Sequence, residues 1–176
     1  AALTAFLHGP GREQSEEAVC MIESGARMTL ITFVNRGIPV LVRKLDWGGA
    51  AWVERVGTQL GLDQATVLGT LAEGSLDVSS SVADLLDPFL KQLSISRDFV
   101  ERQEKCRVRS VFVSGGTSRI RHWLNEIRSA MDIDVQVVNP FRGLILAPDA
   151  YPPALEGQEV RFAAAVGAVL GAMDPA

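Results

Sequence analysis

Two glycine turns are the places in this 176-residue chain where residue types and spacing could bind a ligand. Ser24-Gly25-Ala26 lies between two apolar runs, Ala18–Ile22 and Met28–Val34, with Thr29 just behind it. Lacking a Cβ, a glycine turn lets backbone amides approach a phosphate, and Thr29 adds a hydroxyl donor. Ser114-Gly115-Gly116-Thr117 follows another apolar run, Ser110–Val113, and precedes a helical pattern. Gly115, Gly116 and Thr117 would therefore sit near a helix N-terminus, where negative charge is favoured. The plainer reading is that both turns need glycine for geometry alone.

Other reactive residues offer less. His8 and His122 are isolated, with no carboxylate or cysteine at metal-ligand spacing. Ser114 lacks a Gly-x-Ser-x-Gly elbow, and no Ser/His/Asp set assembles. Cys20 lies in an apolar run and reads as a small core hydrophobe. With Cys106 it makes no disulfide framework, so a reducing cytoplasm is expected. Trp47 and Trp52 flank Gly48-Gly49 and read as packing, ahead of an adenine platform or a partner hot spot. Asp84, Asp87 and Asp98 fall on a helical pattern and are expected to face solvent.

The elements that would position these turns follow from periodicity. Ala18–Ile22, Met28–Val34 and Ile38–Leu45 read as strands, and Asn35-Arg36-Gly37 supplies a tight hairpin turn. Gly48-Gly49 opens a helix carrying Trp52, Val53, Val56 and Leu60, stopped by Gly61. A second runs from the N-cap Asp63 to Ala72. Glu73 to Ser81 reads as a loop, then Val82 to about Glu104 is an amphipathic helix in which Pro88 predicts a kink or a late start. Strand Ser110–Val113, a helix over 120–131 and strand Val135–Val138 imply a parallel crossover, and an alanine-rich helix closes the chain at Phe162–Leu170. The sum is an α/β fold with a mixed five-stranded sheet and flanking helices.

The net charge of -4 excludes a general nucleic-acid binder, which needs a concentrated basic face. Arg107, Arg109, Arg119, Arg121 and Arg128 are the one basic cluster. No signal peptide or membrane-spanning run is legible, so any membrane link is expected to run through a partner.

Two stretches resemble a known family. Ile22-Glu23-Ser24-Gly25-Ala26-Arg27-Met28-Thr29, then Gly37-Ile38-Pro39-Val40 and Gly48-Gly49, is similar to the Asp-Ile-Gly-Ala-x-x-Thr hairpin of PilM-like type IV pilus proteins. Val111-Phe112-Val113-Ser114-Gly115-Gly116, a helix, and Val137-Val138-Asn139-Pro140-Phe141 resemble its closing pattern. The resemblance covers about residues 18 to 172. It implies a ribonuclease-H-like, actin-like fold in which this chain is the C-terminal half. Residues 1–17 would be a remnant of an interdomain helix and loop, 18–48 and 82–176 the large subdomain, and 49–81 a small helical insertion.

The resemblance also implies a cytoplasmic scaffold of type IV pilus assembly, peripheral to the inner membrane through a PilN-like partner and binding no nucleic acid. ATP and Mg2+ would bind between the two halves of the full-length protein, and none is expected tightly bound to this half alone. The hairpin would take the β- and γ-phosphates and the second turn the adenosine side. The family's aspartate, which orders a metal-bound water, is Glu23 here, and one extra methylene displaces such a water by about 1 Å. The family's Glu and Lys near the ribose correspond to Thr66 and Gly69. No catalytic residue is therefore expected. The alternatives are a nucleotide-free pseudo-actin module, as in type II secretion assembly, and the C-terminal half of a small-molecule kinase.

Overall fold

The computed structural model describes residue 6 and residues 16–74, 79–145, 147 and 155–173. His8 and most of the expected interdomain remnant lie outside them. Strands β1 (Ala18–Ser24), β2 (Thr29–Asn35) and β3 (Ile38–Leu45) form an antiparallel meander. β4 (Val108–Ser114) and β5 (Val135–Val137) run parallel to β1, giving the order β3-β2-β1-β4-β5. β1 and β4 are central, which is why Val19 to Ile22 and Val111 to Val113 are buried as continuous apolar runs. The β2–β3 turn holds Arg36 and Gly37 at φ of 50° and 74°, both in the left-handed region that a two-residue hairpin turn uses.

Among the residues of 16–173 that the structure describes, five helices follow from capping and periodicity. α1 (Gly49–Leu60) ends on Gly61 at φ 67°, and α2 (Gln64–Glu73) starts where the Asp63 carboxylate accepts from the Ala65 and Thr66 amides. The Thr66 hydroxyl donates to the same carboxylate at 2.6 Å and holds it below the usual carboxylate range. α3 (Ser79–Gln103), α4 (Arg121–Met131) and α5 (Ala163–Met173) complete the set.

Two boundary expectations needed correction. Residues 79–81, read as loop, are helical, and α3 runs through Pro88 without starting late. Pro88 is exposed, so the residue four positions earlier, Asp84, gives up its amide partner on a solvent-facing turn. The five clustered arginines do not form one patch either. Arg107 pairs with Glu101 at 3.1 Å and Arg128 with Asp134 at 3.5 Å, while Arg119 and Arg121 lie beside the second glycine turn. Nearness in sequence is not nearness in space when a strand and a turn intervene.

The sheet has a core on each face. The larger joins Cys20, Ile22, Ile31, Phe33, Val111 and Val113 to Trp52, Val56, Phe89, Leu93, Trp123 and Ile127 from α1, α3 and α4. Burial pushes the Cys20 thiol far above its ordinary range, so it packs as a hydrophobe. Trp47 stacks on Phe89 at 4.7 Å and donates its indole N–H to the Leu85 carbonyl at 2.9 Å. The smaller core holds Phe6, Val19, Met21, Val34, Phe112, Val138 and Ala163. Among the described residues no helix is long and apolar enough to cross a membrane.

Arg55 and Asp84 tie α1 to α3 at 3.0 Å, but both side chains are more than a third exposed. Arg55→Ala is expected to cost less than about 1 kcal/mol. Thermal denaturation checks this, and a loss several times larger would show that the α1–α3 junction depends on the pair.

Candidate functional site

β1 and β4 are parallel and adjacent, so the turns that follow them leave the same edge of the sheet. Glu23 of β1 lies opposite Ser114 of β4 in register. The two turns then touch. The Thr117 hydroxyl donates to the Gly25 carbonyl at 3.2 Å, joining residues 92 positions apart. The register sets which atoms meet, and glycine lets them come close. At Gly115, φ is 88° and a Cβ would stand 2.2 Å from the Ser24 carbonyl oxygen.

A third glycine segment closes on the same point. The Gly49 amide donates to the Gly25 carbonyl at 3.0 Å and the Ala50 amide to the Ala26 carbonyl at 2.8 Å. A Cβ at Gly48 would meet the Ala26 backbone at 2.6 Å. The α1 N-terminus is thus spent on the hairpin's carbonyls. The sequence marks Gly48-Gly49 as a helix start but not as the hairpin's support, because only the fold brings residue 48 back to residue 26.

The side chains singled out from sequence divide into two groups. Ser24, Thr29 and Thr117 are buried. The Thr29 hydroxyl donates to the Trp47 carbonyl at 2.9 Å and lies 2.8 Å from the Ser24 hydroxyl, so it braces the hairpin from behind. Ala26 and Gly116 are exposed, and Gly25 and Gly115 are half-buried. The Gly25 amide closes its own turn on Met28 O at 3.0 Å, and the Gly115 amide donates to Val160 O at 2.8 Å. The Ala26 and Arg27 amides have no acceptor among the described residues. Gly116 opens a four-residue 3-10 turn, Gly116–Arg119, and a Cβ there would meet nothing within 4 Å. The outward face therefore offers open amides over space that a phosphate or sugar could occupy.

Glu23 is half-buried, and burial pushes its carboxyl above the ordinary value of 4.5. Among the described residues no group of three or more His, Cys, Asp or Glu could hold a metal ion. A raised folded-state pKa favours the folded protein below the unfolded carboxylate value, and that advantage is lost as pH rises through the folded-state value. Glu23→Gln removes the charged form and should raise Tm at pH 7. The difference should close as pH falls toward 4, which paired melting curves at the two pH values would check.

Ser114 is a residue the sequence reading set aside. It is 2% exposed, and its hydroxyl has no partner among the described residues. Its strand-end position beside Gly115 was the available signal. His122 is half-buried, with its ring 5.9 Å from Trp52 and Nδ1 3.9 Å from Glu126. Two concavities lie elsewhere. One follows the outer side of α1 through Ala50, Val53, Gly57 and Gly61, and the other, lined by Asn35, Arg36, Lys105 and Arg109, sits at the far end of the sheet. Neither includes a residue of the two turns.

The profile of the family described as "Type IV pilus assembly protein PilM" matches residues 3–173. Comparison with curated proteins gives no match. Among solved structures, "PilM-PilN type IV pilus biogenesis complex" superposes with a TM-score of 0.78 at 18% identity, covering 98% of this chain and 52% of that one. MreB 5 of Spiroplasma citri bound to AMPPNP gives 0.62 at 11% identity, covering 96% and 56%. An archaeal actin homolog gives 0.61 at 16% identity, covering 99% and 54%. The fold is that of actin-like proteins, and the chain spans about half the length of these structures.

Proposed function

The chain belongs to the type IV pilus assembly protein PilM family, and from that premise we propose that it contributes one wall of an ATP cleft in a pilus assembly scaffold. The observation that carries this is the 3.2 Å hydrogen bond from Thr117 to the Gly25 carbonyl, which sets two glycine turns with outward-facing backbone side by side. The Ser24–Met28 hairpin would take the β- and γ-phosphates on the Ala26 and Arg27 amides. Gly115 and Gly116 would take the adenosine side. Ser24, Thr29 and Thr117 act from beneath, holding the turns rather than touching the ligand. The large subdomain would comprise 18–48 and 82–176, with α1 and α2 in the small one.

ATP would arrive with Mg2+, and Glu23 would reach the metal through a water. Glu23 stands where the family has aspartate, and its extra methylene would displace a metal-bound water by about 1 Å, so the reading is a nucleotide-binding scaffold rather than a turnover enzyme. The partner would be a PilN-like inner-membrane protein, since the matched complex pairs PilM with PilN. The scaffold would then sit in the cytoplasm against the membrane.

Titration calorimetry of the full-length protein with Mg-ATP tests this. Saturable binding supports the reading. Its absence in folded protein favours the second reading, a nucleotide-free pseudo-actin module. That reading is supported by Gly69 and by Thr66, whose hydroxyl is already engaged by Asp63.

A further inference from the structure

We infer that Arg27 makes this site count phosphates, favouring a nucleoside triphosphate over a monophosphate; the inference rests on the nucleotide reading above. Several other cations are paired or lie away from the hairpin. Lys44 pairs with Asp46, Arg55 with Asp84, Arg97 with Asp98, Arg107 with Glu101 and Arg128 with Asp134. The Arg121 stem packs against the Gly74 backbone, where a Cβ would meet its Cδ at 3.2 Å. Arg109 lines the cavity at the far end of the sheet.

Arg27 differs on three counts. It lies within the hairpin turn itself, between Gly25 and Met28, whose amide-to-carbonyl bond of 3.0 Å closes that turn. Its side chain is exposed and has no ion pair or hydrogen bond among the described residues. The two residues before it are held from two sides, the Gly25 and Ala26 carbonyls by the Gly49 and Ala50 amides of α1 and the Gly25 carbonyl also by the Thr117 hydroxyl of the second turn. A guanidinium just after this held backbone, beside two open amides, is a fork that a phosphate can accept in two hydrogen bonds. The other turn carries its own cation, Arg119, at the end of the 3-10 segment. A ligand laid across both turns therefore meets Arg27 at one end only, and the charge at that end grows with each added phosphate.

The test is calorimetry of the full-length protein with ATP, ADP and AMP, on wild type, Arg27→Gln, Arg27→Lys and Arg109→Gln. One charge-assisted contact corresponds to about tenfold in affinity. Arg27→Gln should weaken ATP by about tenfold or more, ADP less, and AMP by less than about twofold. Arg27→Lys should recover part of the ATP loss, and Arg109→Gln should change nothing. Equal losses for all three nucleotides, or none for any, would overturn the role of Arg27 while leaving nucleotide binding intact. Failure of the wild type to bind any nucleotide would overturn both. All variants are surface changes, and unchanged Tm verifies that each folds.

Discussion

Gly116→Val and Gly25→Val are each expected to weaken ATP binding by the full-length protein roughly 10- to 100-fold, while Tm stays close to wild type. The expectation follows from where a side chain would go. At Gly116 an added Cβ meets nothing within 4 Å, and at Gly25 it meets only the Met28 carbonyl at 3.5 Å. Neither glycine has a left-handed φ. The chain therefore tolerates a side chain at both positions, and the volume it fills is the volume over the open amides. Losing one or two charge-assisted hydrogen bonds to phosphate accounts for the stated range. Calorimetry with melting curves on the same samples separates the two effects. Wild-type affinity in both variants would mean that the turns serve geometry alone.

Gly115→Ala should behave in the opposite way, losing stability whatever the ligand. Its Cβ would lie 2.2 Å from the Ser24 carbonyl oxygen and 2.7 Å from the carbonyl carbon, and φ is 88°. Both contacts are with backbone in a buried strand end, which cannot swing aside as a flexible side chain would. Overpacking and a forced left-handed conformation each cost about 1–3 kcal/mol, so a loss of about 3 kcal/mol or more is expected. That corresponds to a fall in Tm of roughly 6–12 °C for a domain of this size. Its neighbour Gly116→Ala should be nearly neutral, so the adjacent pair provides its own control. Equal Tm values for the two would mean that the β1–β4 junction is looser than the 3.2 Å Thr117–Gly25 bond implies.

The two glycines look alike in sequence, and that marks the limit of reading one. Ser114-Gly115-Gly116-Thr117 announces a turn, because consecutive glycines after an apolar strand do so in any context. Which glycine is a packing necessity and which is open to a ligand depends on β1, more than 90 residues away. The same holds for Thr29. As a residue type it is a candidate hydroxyl donor, but the fold points it at the Trp47 carbonyl, where it supports the hairpin from inside.

The strands, the helices and the sheet's mixed character were legible because each rests on local rules: period, capping, and hairpin turn chemistry. Asp63 and Gly61 mark α1 and α2 ends by interactions within three residues or by their own φ. Pro88 misled in the other direction. A proline weakens a helix locally, but the buried stripe from Val82 through Leu86, Phe89 and Leu93 to Val100 holds α3 across it. Burial summed over five side chains outweighs one missing hydrogen bond.

By itself the sequence determined the element order, the fold class and the two turns as candidate ligand contacts, since these follow from interactions a few residues apart. The tertiary structure decided which hydroxyls are spent, that Gly48-Gly49 braces the hairpin, and which amides and which arginine beside it have no partner among the described residues. Each of those depends on the register between parallel strands and the return of α1, both long-range pairings set by packing of the whole core, which no local pattern of residues specifies.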